Sequence, residues 1–187
     1  IAGFESMGIE VEPLMPILDQ LESNTNIALE NINKILKNCR KVGIRPIHIR
    51  IQSLLSDAKD TGVLHSSAGM YYPPGCTASE FCDEAMPLEN EIVLNKTCSG
   101  IVVGTPIDRI LRNLGIKNVV VTGFYTDQCV STSIRDLADL GYKVDMIEDA
   151  MAAMSQERHD KALQSIKYIY ANCEKTQELI ERLEQLN

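Results

Sequence analysis

The sequence predicts a three-layer α/β fold, and two observations carry that prediction. First, a unit of amphipathic helix, glycine and apolar strand occurs three times along the chain. Second, the 187 residues, 44% of them hydrophobic and 24% charged, have the length and composition of one globular domain with a sizeable core. Strands that alternate with helices in this way form right-handed crossovers and a mostly parallel sheet. We therefore expect an α-β-α arrangement, with a Rossmann-like, mostly parallel sheet flanked by helices on both faces.

The three repeated units have the same order along the chain. The first unit has its helix at 27–40, its glycine at Gly43 and its strand at 44–51. The second has its helix at 105–114, its glycine at Gly115 and its strand at 117–122. The third has its helix at 128–140, its glycine at Gly141 and its strand at 142–147. Each glycine falls where a helix ends on a left-handed residue, which glycine adopts without strain. Short strands at 91–94 and 168–173 and a charged helix at 176–186 complete the predicted elements.

Two parts of the chain do not fit the repeated unit. Residues 1–25 contain two prolines and no β-branched run, so they are predicted to be a loop. The strand that should precede the first helix is therefore expected upstream of Ile1, and we expect one domain over residues 1–187 without that strand. Residues 53–90 are irregular, which fits a lid or binding loop as well as a surface insertion.

The composition argues against several classes of function. The chain carries 18 basic and 26 acidic residues, a net charge of −8, whereas a duplex nucleic-acid binder needs a basic face. No apolar run approaches the roughly 20 residues that span a bilayer, and no basic stretch followed by an apolar core marks a secretion signal. The six cysteines contain no C-x-x-C pair, and the three histidines do not join them at zinc-ligand spacing. We expect reduced thiols in the cytoplasm, with no bound metal, membrane or nucleic acid.

Two predicted strand ends carry reactive side chains at the edge where open α/β sheets bind ligands. The strand at 117–122 leads to Cys129, predicted in the first turn of a helix, where the helix dipole and backbone amides stabilise a thiolate. The strand at 91–94 leads to Lys96, whose ammonium would stand beside that thiolate. Each residue alone has an ordinary alternative, an inert buried thiol for Cys129 and a solvated ammonium for Lys96.

The combined pattern is more specific than either residue. Residues 104–116 read GTPIDRILRNLGI, residues 122–130 read TGFYTDQCV, and residues 148–150 read EDA. Together with Lys96, this pattern resembles the isochorismatase-like cysteine hydrolases over residues 27–179, most strongly over residues 96–150. The resemblance implies a Cys–Lys–Asp triad that cleaves C–N bonds of small amide, ureido or carbamoyl compounds.

The resemblance also implies a role for individual residues. Cys129 would be the nucleophile that forms an acyl-enzyme, and Lys96 would stabilise its thiolate. The backbone N–H groups of Tyr125 and Cys129 would form the oxyanion hole, with a cis peptide between Phe124 and Tyr125. Phe124, Tyr125 and Arg50 are candidate substrate-binding residues, and each also fits a packing or surface role. The family further implies a small-molecule substrate, no cofactor, and a homo-oligomer, either dimer or tetramer.

The sequence departs from the family pattern in two places. In the family the triad aspartate ends the first strand, and no good copy of that motif is visible here. The aspartate is therefore expected upstream of Ile1, with Asp19 as the weaker alternative. In the metal-binding branch of the family a histidine cluster follows the second strand. His48 has no second histidine near it in the sequence, so we expect His48 to be a strand residue and not a metal ligand.

Two other functions stay open at this point. A non-catalytic binding or scaffold protein of the same fold would agree with the missing aspartate. A thiol-redox protein would pair Cys129 with Cys98 or Cys173. Cys98 follows Lys96 by two residues and is near enough in sequence to reach the same site, although a buried bystander is the favoured interpretation.

Overall fold

The computed structural model describes residues 15–186, and its strands run parallel in two sheets. The strands are β1 Ile47–Ile51, β2 Ile92–Lys96, β3 Asn118–Phe124, β4 Lys143–Ala152 and β5 Asn172–Glu174. β1 pairs with β2, which places Ile51 opposite Lys96, and the second sheet has the order β3–β4–β5. Within residues 15–186 no strand is hydrogen-bonded to both sheets. The predicted parallel arrangement is confirmed.

From residue 15 onward helices alternate with the strands along the chain, starting with a helix. Within the described residues they are α1 Met15–Lys41, α2 Val63–Ser67, α3 Ile101–Gly104, α4 Ile107–Asn113, α5 Ser131–Asp139, α6 Gln156–Ile166 and α7 Thr176–Glu184. A π-helical turn, Thr126–Val130, leads directly into α5. The predicted helix-ending glycines adopt φ angles of +76°, +68° and +91°, so the left-handed helix ends are confirmed.

Two apolar clusters lie on opposite faces of β4. One contains Val144 and Met146 together with side chains of α4 and α5. The other contains Ile147 and Ala150 together with side chains of α1 and α7. Because successive strand residues point to opposite faces, this division means that helices cover both sides of the sheet. The three-layer prediction is confirmed.

The N-terminal segment predicted to be a loop is helical from residue 15 onward, so that part of the prediction is wrong. α1 spans Met15–Lys41 without interruption. Pro16 lies in the first turn of this helix, where N–H groups have no intrahelical partner and proline is tolerated. Leu18 and Leu21 extend its partly buried face. Residues 1–14 lie outside the described part of the chain, as does any strand before them.

The C-terminal elements also differ from the prediction. β5 lies later than the predicted strand at 168–173, because Tyr168 adopts a left-handed φ of +66° and the chain turns there. α6 has no counterpart among the predicted elements. Its N-cap signal is nonetheless present in the sequence, since the Ser155 side chain accepts a hydrogen bond from the Arg158 N–H at 3.3 Å.

The segment at 53–90 is irregular, as predicted. It contains only the short helix α2 and two 3₁₀ turns, Thr77–Ser79 and Asp83–Ala85. Among the described helices, none is both long and apolar enough to cross a bilayer. The single domain over residues 1–187, the homo-oligomer and the cytoplasmic location stay predictions.

Candidate active site

Lys96 is the last residue of β2, and it is buried although its side chain carries a charge. Only 5% of its surface is accessible. Its Nζ atom donates hydrogen bonds to the carbonyl oxygen of Cys98 at 2.8 Å and to Sγ of Cys129 at 3.3 Å. A buried charge is tolerated only with partners of this kind. The structure therefore brings together the two residues that the sequence selects.

Cys129 lies in the π-helical turn between β3 and α5, not in the first turn of a regular α-helix. The carbonyl oxygen of Tyr125 accepts the N–H groups of Gln128 at 3.0 Å and Val130 at 3.2 Å. The buried side chain of Val130 joins the apolar cluster on α4 and α5, which anchors the end of the turn. π-helical turns are rare and occur frequently at functional sites.

In the described part of the chain two serines contact Cys129, and sequence reasoning missed both. The Ser99 hydroxyl donates to Sγ of Cys129 across 3.6 Å. The Ser133 hydroxyl donates to the Cys129 carbonyl oxygen at 2.5 Å, the ordinary contact of a serine with the residue four positions before it in a helix. Ser99 carries no such local signal, because the turn that follows β2 brings it to the sulfur.

The two residues before the π-helical turn have different surroundings. The peptide bond between Phe124 and Tyr125 is cis, as the resemblance implies. Phe124 packs against the apolar cluster of α1 and α7, which fits the packing alternative. Burial and the neighbouring Tyr72 raise the pKa of the Tyr125 phenol. The oxyanion-hole role of the Tyr125 and Cys129 N–H groups and the substrate contacts of both aromatic side chains stay predictions.

The guanidinium of Arg50 is already engaged by protein groups. It donates to Asn95 Oδ1 at 3.0 Å, to Gln52 Oε1 at 3.1 Å and to Glu80 Oε2 at 2.8 Å. It also lies 5.3 Å from the centre of the Phe81 ring. This environment fits the packing alternative for Arg50, and its predicted contact with substrate remains untested.

A buried ionic cluster lies at the opposite end of β2 from Lys96. Glu91 accepts two hydrogen bonds from Arg40, at 2.7 and 2.8 Å, and contacts His48 Nε2 at 2.8 Å. Hydrogen bonding to Arg40 and, more weakly, to the Leu88 N–H and His48 outweighs burial and lowers the pKa of Glu91 to about 2. His48 is therefore a strand residue paired with a carboxylate, as the sequence favours.

α6 holds the π-helical turn Thr126–Val130 through two consecutive side chains. Arg158 Nε donates to Asp127 Oδ2 at 2.5 Å, and His159 Nδ1 lies 2.8 Å from Oγ1 of Thr126. Thr126 is completely buried and His159 nearly so, and burial lowers the pKa of the His159 imidazole. The neutral ring is thereby favoured as the partner of the threonine hydroxyl.

The other two cysteines of the redox alternative have partners of their own. Cys98 Sγ donates to the Gly100 carbonyl oxygen at 3.3 Å. Cys173 Sγ donates to Glu148 Oε2 at 3.1 Å, and burial together with this carboxylate raises the pKa of Cys173 to about 12. Both thiols thus donate to groups other than the Cys129 sulfur, and the redox alternative stays a prediction.

The family of the chain follows from a match that covers most of its length. Residues 18–178 match the isochorismatase domain model. The chain belongs to the isochorismatase family. The family resemblance that rests on Lys96, Cys129 and the motifs between them is thereby confirmed.

Curated relatives of this isochorismatase-family chain cover different shares of it. The isochorismatase family protein YrdC of Bacillus subtilis (strain 168) is 32% identical over 132 residues, which are 71% of this chain and 64% of YrdC. The ureidoacrylate amidohydrolase RutB of Klebsiella pneumoniae (strain 342) is 41% identical over 71 residues, 38% of this chain and 30% of RutB. The chain thus spans less than two thirds of the length of both relatives.

Solved structures of the family share the fold. A cysteine hydrolase from Pseudomonas syringae pv. phaseolicola 1448A superimposes with a TM-score of 0.81 at 24% identity, covering 88% of this chain and 83% of that one. N-carbamoylsarcosine amidase from Thermoplasma acidophilum superimposes with a TM-score of 0.68 at 25% identity, covering 82% and 85%. The α/β prediction therefore agrees with experimentally solved members of the family.

The weaker position for the triad aspartate is not at a strand end. Asp19 lies on the exposed side of α1, far along the chain from any described strand. The preferred position, upstream of Ile1, lies outside the described residues. The aspartate of the triad therefore stays a prediction for this member of the isochorismatase family.

Proposed function

We propose that this protein is a cysteine hydrolase that cleaves a C–N bond of a small amide, ureido or carbamoyl compound through an acyl-enzyme on Cys129. The observation that carries the proposal is the 3.3 Å contact between Lys96 Nζ and Cys129 Sγ. An adjacent ammonium favours the thiolate, which is the nucleophilic form of cysteine.

The reaction would proceed in two steps on one sulfur. The Cys129 thiolate attacks the substrate carbonyl carbon, and the carbonyl oxygen takes the negative charge near the N–H groups of Tyr125 and Cys129. Collapse of this intermediate breaks the C–N bond, and the departing nitrogen takes a proton from the solvent, which the attacking water returns in the second step. Water then attacks the thioester carbon, releases the acid and restores the thiolate beside Lys96. Throughout the cycle Lys96 stays at the sulfur because the Cys98 carbonyl oxygen holds its Nζ atom.

The substrate class has separate support. Two relatives are named for ureidoacrylate and N-carbamoylsarcosine, and both compounds contain a carbonyl carbon bonded to nitrogen in a ureido or carbamoyl group. RutB matches this chain at 41% identity over 71 residues. These names favour ureido and carbamoyl compounds as the first substrates to test.

Replacement of the nucleophile tests the proposal. A panel of ureido, carbamoyl and simple amide compounds would be screened for ammonia release. Cys129→Ala should abolish turnover of any substrate found, because it removes the sulfur that forms the thioester in the proposed reaction. Cys82→Ala is the matched control, since Cys82 is an exposed cysteine outside the site. Circular dichroism would verify that both variants fold. Unchanged turnover by folded Cys129→Ala would contradict the proposal.

A non-catalytic binding protein is the second candidate. Within residues 15–186 no carboxylate forms an ion pair with Lys96, so the described part of the site lacks an acid-base partner for it. The pH dependence of Cys129 alkylation separates the two candidates. A catalytic thiol reacts with iodoacetamide at a pH well below the ordinary thiol pKa of about 8.5. A Cys129 alkylation midpoint near that value, together with no turnover across the panel, would favour the binding protein.

A further inference from the structure

Among residues 15–186, two groups donate hydrogen bonds to the sulfur of Cys129, and only one of them has a role so far. Lys96 Nζ lies 3.3 Å from Sγ, and Ser99 Oγ lies 3.6 Å from it. Both donors come from the same short stretch of chain at the end of β2. A hydroxyl donor is compact and neutral, so it adds a hydrogen bond to the sulfur without adding a second charge.

The chain around Ser99 is fixed on both sides. The Thr97 carbonyl oxygen accepts the Gly62 N–H at 3.2 Å, and this approach is so close that a Cβ on Gly62 would lie 2.7 Å from that oxygen. On the other side, the Ile101 N–H donates to the Ser133 hydroxyl at 3.3 Å, which itself donates to the Cys129 carbonyl oxygen. The segment that carries Ser99 is therefore tied to the backbone of the nucleophile.

We propose that Ser99 is a second donor to the Cys129 thiolate and so a further catalytic residue of this site. The inference rests on the nucleophilic role proposed above for Cys129. The test measures ionisation of the Cys129 thiol and needs no substrate. A failure of the Ser99 proposal is therefore distinguishable from a failure of the proposed hydrolase function.

The hydroxyl discriminates between the states that the sulfur passes through. A thiolate is a strong acceptor for O–H, whereas a neutral thiol and a thioester sulfur are weak ones. Ser99 therefore stabilises the free thiolate relative to both other states. Because a better stabilised thiolate is also a better leaving group, the same contact assists release of the sulfur when water cleaves the thioester.

The experiment measures the rate of Cys129 alkylation by iodoacetamide against pH, with the modified peptide followed by mass spectrometry because the chain has five other cysteines. Ser99→Ala should raise the pH midpoint of Cys129 alkylation by about one unit, which is about 1.4 kcal/mol. Ser99→Thr retains the hydroxyl and should stay close to the wild-type midpoint. Ser165→Ala is the matched control, because it removes an exposed serine hydroxyl on α6 that contacts Arg135 and the Ala162 carbonyl oxygen and not the sulfur of Cys129.

Each outcome decides the proposal. A raised midpoint in Ser99→Ala alone supports it. Equal midpoints for Ser99→Ala and the wild type overturn it, and so does an equal rise in Ser165→Ala, because a general effect of removing a serine hydroxyl would then explain both. Should Ser99→Ala lose its fold by circular dichroism, Ser99→Gly replaces it in the same comparison. If a substrate is known, Ser99→Ala should also accumulate acyl-enzyme, which intact-mass measurement detects.

Discussion

The buried cluster around Glu91 makes the stability of this protein dependent on pH. Glu91→Gln keeps the shape of the side chain but removes its charge and leaves the Arg40 guanidinium and the His48 ring beside a neutral amide. Only 7% of the Glu91 side chain is exposed, so water does not replace the lost contacts. We expect this substitution to be among the most destabilising single changes of a charged residue in the described part of the chain.

The size of the effect follows from the pKa of Glu91. The shift from 4.5 to about 2 corresponds to about 3 kcal/mol of unfolding free energy, an upper bound that applies when the carboxylate is ionised in both states. Because the folded pKa of Glu91 is the lower one, this stability is present above pH 4.5 and is lost as the pH falls towards 2. About 0.8 kcal/mol should be lost at pH 4 and about 2 kcal/mol at pH 3.

Urea denaturation of the wild type and Glu91→Gln at pH 7, 5, 4 and 3 measures this directly. The difference between the two unfolding free energies should be largest at pH 7 and should shrink across the acid range. Glu157→Gln is the control, since Glu157 forms an exposed pair with Lys161 and its replacement should leave the free energy unchanged. A difference between wild type and Glu91→Gln that is the same at pH 7 and pH 3 would refute the linkage to Glu91 ionisation.

Two further substitutions test the surroundings of the site. Gly104→Ala should slow alkylation of Cys129 several-fold at pH 7. The new methyl group would lie 2.6 Å from Cys98 Sγ and 3.1 Å from Lys96 Cβ and would displace the lysine. An unchanged alkylation rate in the folded variant would show that the lysine keeps its place. His159→Ala should lower the unfolding free energy at pH 7 by about 1–3 kcal/mol, since the buried Thr126 hydroxyl loses its partner. Burial lowers the pKa of the His159 imidazole below its usual 6.5. The contribution of His159 to the unfolding free energy is therefore present above pH 6.5 and is lost as the pH falls below it. Urea denaturation should show the unfolding free energies of the wild type and His159→Ala converging as the solution is acidified. A gap that widens on acidification would contradict this assignment.

The sequence predicted the elements whose signals are local. The three helix–glycine–strand units rest on a periodicity of apolar residues and on glycines with positive φ, and the structure contains all three. The error in α1 has a physical origin, because Pro16 was taken to break a helix, whereas proline is tolerated in a first turn. β5 was placed too early because nothing in the sequence marks the left-handed backbone of Tyr168.

The site was predictable only where motifs are contiguous in sequence. Cys129 and Lys96 follow from their positions after strands and from the family pattern. Ser99 and His159 could not be predicted in the same way. Their contacts depend on how the turn after β2 and the helix α6 pack against the π-helical turn, and tertiary packing of this kind leaves no periodic signal in a single sequence.

The contact between Lys96 and Cys129 connects two sheets that share no hydrogen-bonded strand within residues 15–186. Lys96 ends β2 of one sheet, whereas Cys129 lies in the π-helical turn that follows β3 of the other. The hydrogen bonds from the Ile101 N–H to the Ser133 hydroxyl and from that hydroxyl to the Cys129 carbonyl oxygen link the segment after β2 to this turn. The reactivity of the Cys129 sulfur should therefore respond to substitutions that change the packing between the segment after β2 and the π-helical turn, even where the secondary structure stays intact.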